Sequence, residues 1–179
     1  MNDIDMGGFS WSNIYMDTDA PFYGSLFGNG YTIENLTIYA DNPNKRHGIV
    51  GVGFNAIFDD IKLKNCVLNI EGNNIEDSGI LFGKLKYDVM DYMAPKLFTR
   101  PIQCSNIIAT GCEVSVAAAS RCYSSGFIGG FIELNFYANE HTEQKLTDLV
   151  NNCQAIGGKL KIAGDGIITS FGGGFGTIR

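Results

Sequence analysis

The chain has 179 residues, 45% hydrophobic and 18% charged, enough to bury the core of one domain and too apolar to stay disordered. A net charge of -6, from 19 acidic and 13 basic residues, argues against a nucleic-acid or anionic-membrane partner. No apolar run approaches the roughly 18 residues of a membrane span, no charged-then-apolar start looks like a signal peptide, and the 23 glycines show no collagen period.

In chain order, an opening segment contains Asn2–Asp5, Trp11 and Phe22–Gly24, then Gly28 to Ile38 with the core Ile33-Glu-Asn-Leu-Thr-Ile38. A short apolar strand bounded by glycine follows at His47–Gly51 and returns at Ser78–Gly83 and Ser125–Gly129. A degenerate copy begins at Ser170. Glycine at both ends of a short strand suits tight corners. Three eleven-residue stretches align without a gap: Asp60–Ile70, Asn106–Val116 and Asn152–Ile162. Each alternates apolar and polar residues, turns at Asn65, Gly111 or Gly157, and enters a second short strand.

Matching Asn35 to Asp60 gives a first step of 25 residues, followed by two of 46. A step near 25 residues holding three short strands is one turn of a β-solenoid, and the longer steps then need insertions. Both insertions fall between the glycine strand and the Asn-centred strand, over residues 84–101 and 133–148. The expected fold is all-β, a right-handed parallel β-helix (β-solenoid) of about four to five coils, one domain over 1–179 with two lateral loops. The expected inward rows are Ile33/Phe58/Cys104/Val150, Leu36/Ile61/Ile107/Cys153, Ile38/Leu63/Ala109/Ala155 and Leu68/Val114/Leu160. Asn35, Asp60, Asn106 and Asn152 are expected to stack at a corner.

At Ile61-Lys-Leu-Lys-Asn-Cys66, Asn106 to Val114 and Asn151-Asn-Cys153 to Leu160, the sequence resembles the GLUG-motif family of parallel β-helix repeats. The opening segment through Ile38 is similar to the coil that commonly precedes such repeats. The resemblance implies a β-helix belonging to a bacterial secreted or cell-surface protein, adhesin-like in some members, of which this chain would be one module. The few copies and long interruptions depart from the family pattern.

The residues that could carry chemistry point mostly to structure. Cys66, Cys104, Cys112, Cys122 and Cys153 form no CxxC or zinc spacing. They read as small apolar core residues, with Cys66 and Cys112 stacked too parallel for a disulfide. His47 reads as a corner residue, and Glu140, His141 and Glu143 fit no strong ligand motif. Asp3/Asp5 and Asp17/Asp19 lack the later ligands of a calcium loop. Asp59 and Asp60 point to opposite sides of a strand, unlike the paired acids of a glycosidase. The sequence therefore assigns no catalytic residue, no metal and no cofactor.

The loops are the expected binding surface, through Tyr87, Tyr92, Phe98 and Arg100 of the first and Phe136 and Tyr137 of the second. Aromatic residues suit sugar stacking or a protein interface, and long loops in a compact repeat are often functional. Residues 87–93 have the composition of a short helix. The expected function is that of a non-catalytic extracellular surface or fibre module, displaying a binding face or assembling through its ends, with a protein or cell-surface glycan as partner. The alternative is a carbohydrate-binding or glycan-cleaving phage tailspike fragment, located on a virion.

Overall fold

A computed structural model describes residues 2–7, 9–12, 14, 19–40, 45–88, 102–135 and 149–179. The strands in chain order begin with β1 (Ile4–Asp5) and β2 (Ser10–Trp11). Next come β3 (Ser25–Phe27), β4 (Thr32–Glu34), β5 (Thr37–Ala40) and β6 (Val50–Phe54). The following set is β7 (Ile57–Asp59), β8 (Lys62–Lys64), β9 (Val67–Ile75), β10 (Ser78–Gly79) and β11 (Phe82–Asp88). It is succeeded by β12 (Gln103–Ser105), β13 (Ile108–Thr110), β14 (Glu113–Gly126) and β15 (Gly129–Asn135). Last are β16 (Val150–Asn151), β17 (Gln154–Ile156), β18 (Lys159–Ala163), β19 (Ile167–Gly172) and β20 (Phe175–Ile178).

These strands form four parallel sheets. Sheet I is β3-β7-β12-β16; sheet II is β1-β4-β8-β13-β17. Sheet III runs β2-β5-β9-β14-β10, with β18 and β19 also on β14; sheet IV is β6-β11-β15-β20. From β3 onward the chain visits the sheets in the order I, II, III, IV and repeats that circuit. The all-β class and the parallel pairing match the expectation and are consistent with a β-helix-like fold.

Register fixes which residues share a row. In sheet II the row is Ile4/Ile33/Leu63/Ala109/Ala155. In sheet III it is Trp11/Ile38/Leu68/Val114/Leu160. In sheet I it is Leu26/Phe58/Cys104/Val150. The last three copies therefore align as their sequences indicate.

The first copy is placed differently. Thr32 pairs with Lys62 and Thr37 with Val67, a step of 30 residues instead of 25. Asn35 thus belongs with Asn65 and not with Asp60: Asn35 N donates to Lys64 O (3.0 Å), Asn65 N to Thr110 O (2.9 Å) and Gly111 N to Ile156 O (2.8 Å). Ile33 leaves the Phe58 row, Ile38 leaves the Leu63 row, and Leu36 leaves the Ile61 row. The physical reason lies in the corners. Asp60 (φ 53°) and Asn65 (φ 52°) both adopt the left-handed conformation, so either can match Asn35, itself at φ 58°.

The expected corner stack also changes. Asn152 Nδ2 donates to Asn106 Oδ1 (2.9 Å), but Asn106 Nδ2 donates to Asp59 Oδ1 (3.1 Å). Asn35 Nδ2 instead reaches Asp5 Oδ1 (2.9 Å).

The interior is continuous. Phe58 lies 5.4 Å from Phe82 by ring centroids, and Phe82 lies 6.1 Å from Phe175, both stacked; Phe22 extends the series at 6.1 Å from Phe58. Around them Leu36, Ile61, Leu63, Leu68, Ile107 and Val114 are buried, removing apolar surface from water. The glycine strands permit backbones to meet at the corner between sheets III and IV. A Cβ on Gly79 would stand 2.5 Å from Gly129 Cα, so no larger residue fits there.

Strand β11 continues through Asp88 and β15 through Asn135, so the residues from Lys84 and from Glu133 extend the ladder before each insertion. Leu85 pairs with Ile132 and Tyr87 with Leu134. Residues 89–101 and 136–148 lie outside the described residues.

Candidate functional site

The structure treats the six expected binding residues unequally. Tyr87 is buried, with 8% of its surface exposed, because Leu85 and Tyr87 take alternate, inward positions of β11. It belongs to the packing of the described residues. Tyr92, Phe98, Arg100, Phe136 and Tyr137 lie outside the described residues, as do His141 and most of the expected helix over 87–93. The two loop segments nonetheless leave the sheets at one step, from sheet IV to sheet I, in successive circuits. In the preceding circuit only Asn55 and Ala56 make that step.

The acidic residues of the opening segment act as structural acceptors. Asp3 Oδ1 accepts from Thr32 N (2.8 Å); Asp5 Oδ1 accepts from Gly7 N (2.8 Å) as well as from Asn35. These bonds, led by the one from Asn35, hold the Asp5 carboxyl below its ordinary value of 3.8. Among the described residues no group of three or more His, Cys, Asp or Glu could hold a metal ion.

His47 is fully buried and its strand segment bridges Ser78. Beside it Arg46 lies 3.5 Å from both Glu76 and Asp77. Burial pushes the Asp77 carboxyl above its ordinary 3.8, against the pull of Arg46. Outward ladders carry further ion pairs: Lys64 to Glu34 at 3.0 Å, Lys161 to Glu113 at 2.6 Å, and Lys84 to Glu133. These pairs bind one strand to the next, in the way that cross-strand neighbours do.

The chemically unsatisfied parts of the described molecule are its two end layers. Among the described residues three sheets finish on β1, β2 and β3 at one end, where β6 of the fourth is bridged by Ile14 and Phe22, and all four finish on β16, β17, β18 with β19, and β20 at the other. The row Ile70/Val116/Ile162 shows the consequence. Ile70 is 2% exposed and Val116 1%, but Ile162 is 55% exposed. Ile162 has a core side chain in a core position, with no further strand over it among the described residues. At the other end Ile4, in the row of Ile33 and Leu63, is exposed as well. There Ile4, Leu26, Phe27, Tyr31, Ile33 and Ile61 help line an open, mainly apolar hollow of about 270 Å³.

The end layers also differ in charge. No Lys or Arg precedes Lys45, whereas Asp3, Asp5, Asp19 and Glu34 lie in the described part of that segment. From residue 149 onward, Lys159, Lys161 and Arg179 outnumber Asp165. Sequence analysis already expects assembly through the ends, but not which side chains are exposed there, because Ile70, Val116 and Ile162 look alike along the chain; the charge asymmetry is the further signal in the sequence.

No family model matches the chain, and no solved structure matches it. A stretch of 69 residues is 39% identical to halomucin of Haloquadratum walsbyi. That stretch covers 38% of this chain and 1% of the length of halomucin.

Proposed function

We propose that this chain is a non-catalytic extracellular surface or fibre module, adhesin-like and of the GLUG-motif type. In this reading the four sheets are the faces of a right-handed parallel β-helix of four to five coils. The fixed circuit of the chain through the sheets supports it, since a strand that returns to its own sheet one layer further on traces a coil. The partial likeness to halomucin, a name that points to a mucin, supports the extracellular setting.

One observation carries the functional reading: among the described residues, core-type side chains and edge strands lie uncovered at both ends, and the two ends differ in charge. Unpaired parallel edges template the addition of further strands, and unlike ends in contact give a head-to-tail joint that propagates. The module thus assembles through its ends, with another β-helical layer as partner, and a protein or cell-surface glycan is the partner for a displayed face.

Sedimentation of the purified chain over a range of concentrations tests the assembly. The expected result is self-association that weakens in high salt and in the double variant Lys159→Glu, Lys161→Glu, because screening and charge reversal remove the attraction. A chain that stays monomeric at all concentrations in low salt overturns the end-joining role.

A further inference from the structure

Two of the cysteines face each other across a corner. Cys104 sits in β12 of sheet I, paired with Val150 of the next layer. Cys153 follows the corner residue Asn152 (φ 50°) and stands where that next layer enters sheet II. The walls of the two sheets meet at this corner, so the side chains converge. Their Sγ atoms are 3.9 Å apart, and the Cys153 thiol also lies 3.3 Å from Cys104 O. The thiols of Cys66 and Cys112 also interact, but Val67 and Glu113, which follow them, are direct ladder partners, so these cysteines are equivalent positions of one row. Side chains at equivalent positions of a parallel ladder point the same way, which suits stacking and opposes the right-angled dihedral of a disulfide. Cys122 is buried alone, and burial pushes its thiol up to about 11.

We propose that Cys104 and Cys153 are a latent disulfide that closes, by exchange with a small-molecule disulfide, into a covalent staple between two successive layers. Access sets the order of events, because Cys104 is fully buried and Cys153 is part-exposed. The Cys153 thiolate attacks one sulfur of the small disulfide, forming a mixed disulfide and expelling one small thiolate. Cys104 then gives up its proton to that thiolate and attacks Cys153 Sγ, expelling the second. Two cysteine thiols are oxidised and one small disulfide is reduced to two thiols. The hydrogen bond from Cys104 favours this order, holding the Cys153 thiol below its ordinary 9.0 while Cys104 is raised. The staple spans 49 residues of sequence and encloses the second loop.

The test is incubation of the folded chain with oxidised glutathione, an acid quench, and mass spectrometry of a non-reduced digest. The expected product has lost two hydrogen atoms and yields one linked peptide pair containing Cys104 and Cys153. Its melting temperature rises by about 5–15 °C, given the usual effect of closing a long loop in a domain of this size, and falls back on reduction. The Cys66→Ser and Cys122→Ser variants give the same linked pair. The proposal is overturned if Cys104 and Cys153 stay free, if Cys153 keeps glutathione as a stable adduct, or if the link contains another cysteine. Because the mapping uses the unaltered chain, a variant that fails to fold does not obscure the answer.

Discussion

Replacing Gly129 with alanine puts one methyl group against the buried ring of Phe82. The new Cβ would overlap Cε2 and Cζ of the Phe82 ring and stand 2.8 Å from its Cδ2. An exposed ring would swing aside, but Phe82 is fully buried and stacked between Phe58 and Phe175. The strands must therefore separate, or the aromatic series must break. Overpacking of this kind costs about 3 kcal/mol, a fall in melting temperature of roughly 6–12 °C for a domain of this size. Two controls separate this contact from the loss of a glycine as such. A methyl group on Gly173 would meet nothing within 4 Å, so Gly173→Ala should change stability by under about 0.5 kcal/mol. Gly157 also has open space but lies at φ +63°, so Gly157→Ala should cost about 1 kcal/mol through backbone strain alone. Urea unfolding of the three variants, with Phe82→Leu added to Gly129→Ala, provides the assay. The smaller side chain should recover part of the loss, giving a coupling of about 1 kcal/mol. If Gly129→Ala is no more costly than Gly173→Ala, the stacking of β11 on β15 in this register is refuted.

Three further outcomes follow from the same rows. Val114 is fully buried in the middle of its row and Leu160 is part-exposed at the end, so Val114→Asp should abolish folding while Leu160→Asp leaves a folded chain by circular dichroism. Because Phe54 pairs with Lys86 and Ile57 with Gln103, only Tyr87 and Ile102 are needed where Asn55 and Ala56 turn the preceding circuit. Deleting 88–101 with Tyr87→Asn, which supplies the residue type found at φ 47° in Asn55, should preserve cooperative unfolding. Extending the deletion to Leu85 should destroy it. Acid titration of stability should show opposed contributions from two carboxylates. Asp5 is lowered in the fold, so its contribution is present above 3.8 and is lost as pH falls through its folded value. Asp77 is raised, so its contribution is present below 3.8 and is lost as pH rises through its folded value. Urea midpoints measured against pH should therefore change slope in opposite senses for Asp5→Asn and Asp77→Asn.

The legible part of the fold is the part repeated without gaps. Asp60–Ile70, Asn106–Val116 and Asn152–Ile162 superpose at a constant offset, and Leu63, Ala109 and Ala155 duly share a row. The first copy misleads because its corner residue has two equivalent counterparts five residues apart, Asp60 and Asn65, and the flanking apolar residues fit both. Hydrogen bonding decides between them. Tyr87 falls in the segment that the repeat spacing assigns to a loop, yet the alternation Lys84-Leu85-Lys86-Tyr87 already marks an inward strand position. The end layers are the least legible, since Ile162 differs from Val116 only in what lies beyond it. The Cys104–Cys153 approach depends on the angle between two sheets, which a pattern along one strand does not contain.

Successive copies are neighbouring strands of the same sheets, joined in parallel. Interproton contacts in the backbone NMR spectrum report that order without perturbing the chain. Cross-strand contacts are expected to link Ile33 to Leu63, Leu63 to Ala109, and Ala109 to Ala155. None is expected from Leu63 to Ala155, which lie two strands, about 9.6 Å, apart. Contacts joining Ile33 to Phe58 in place of Leu63, or no contact between Leu63 and Ala109, would contradict that order.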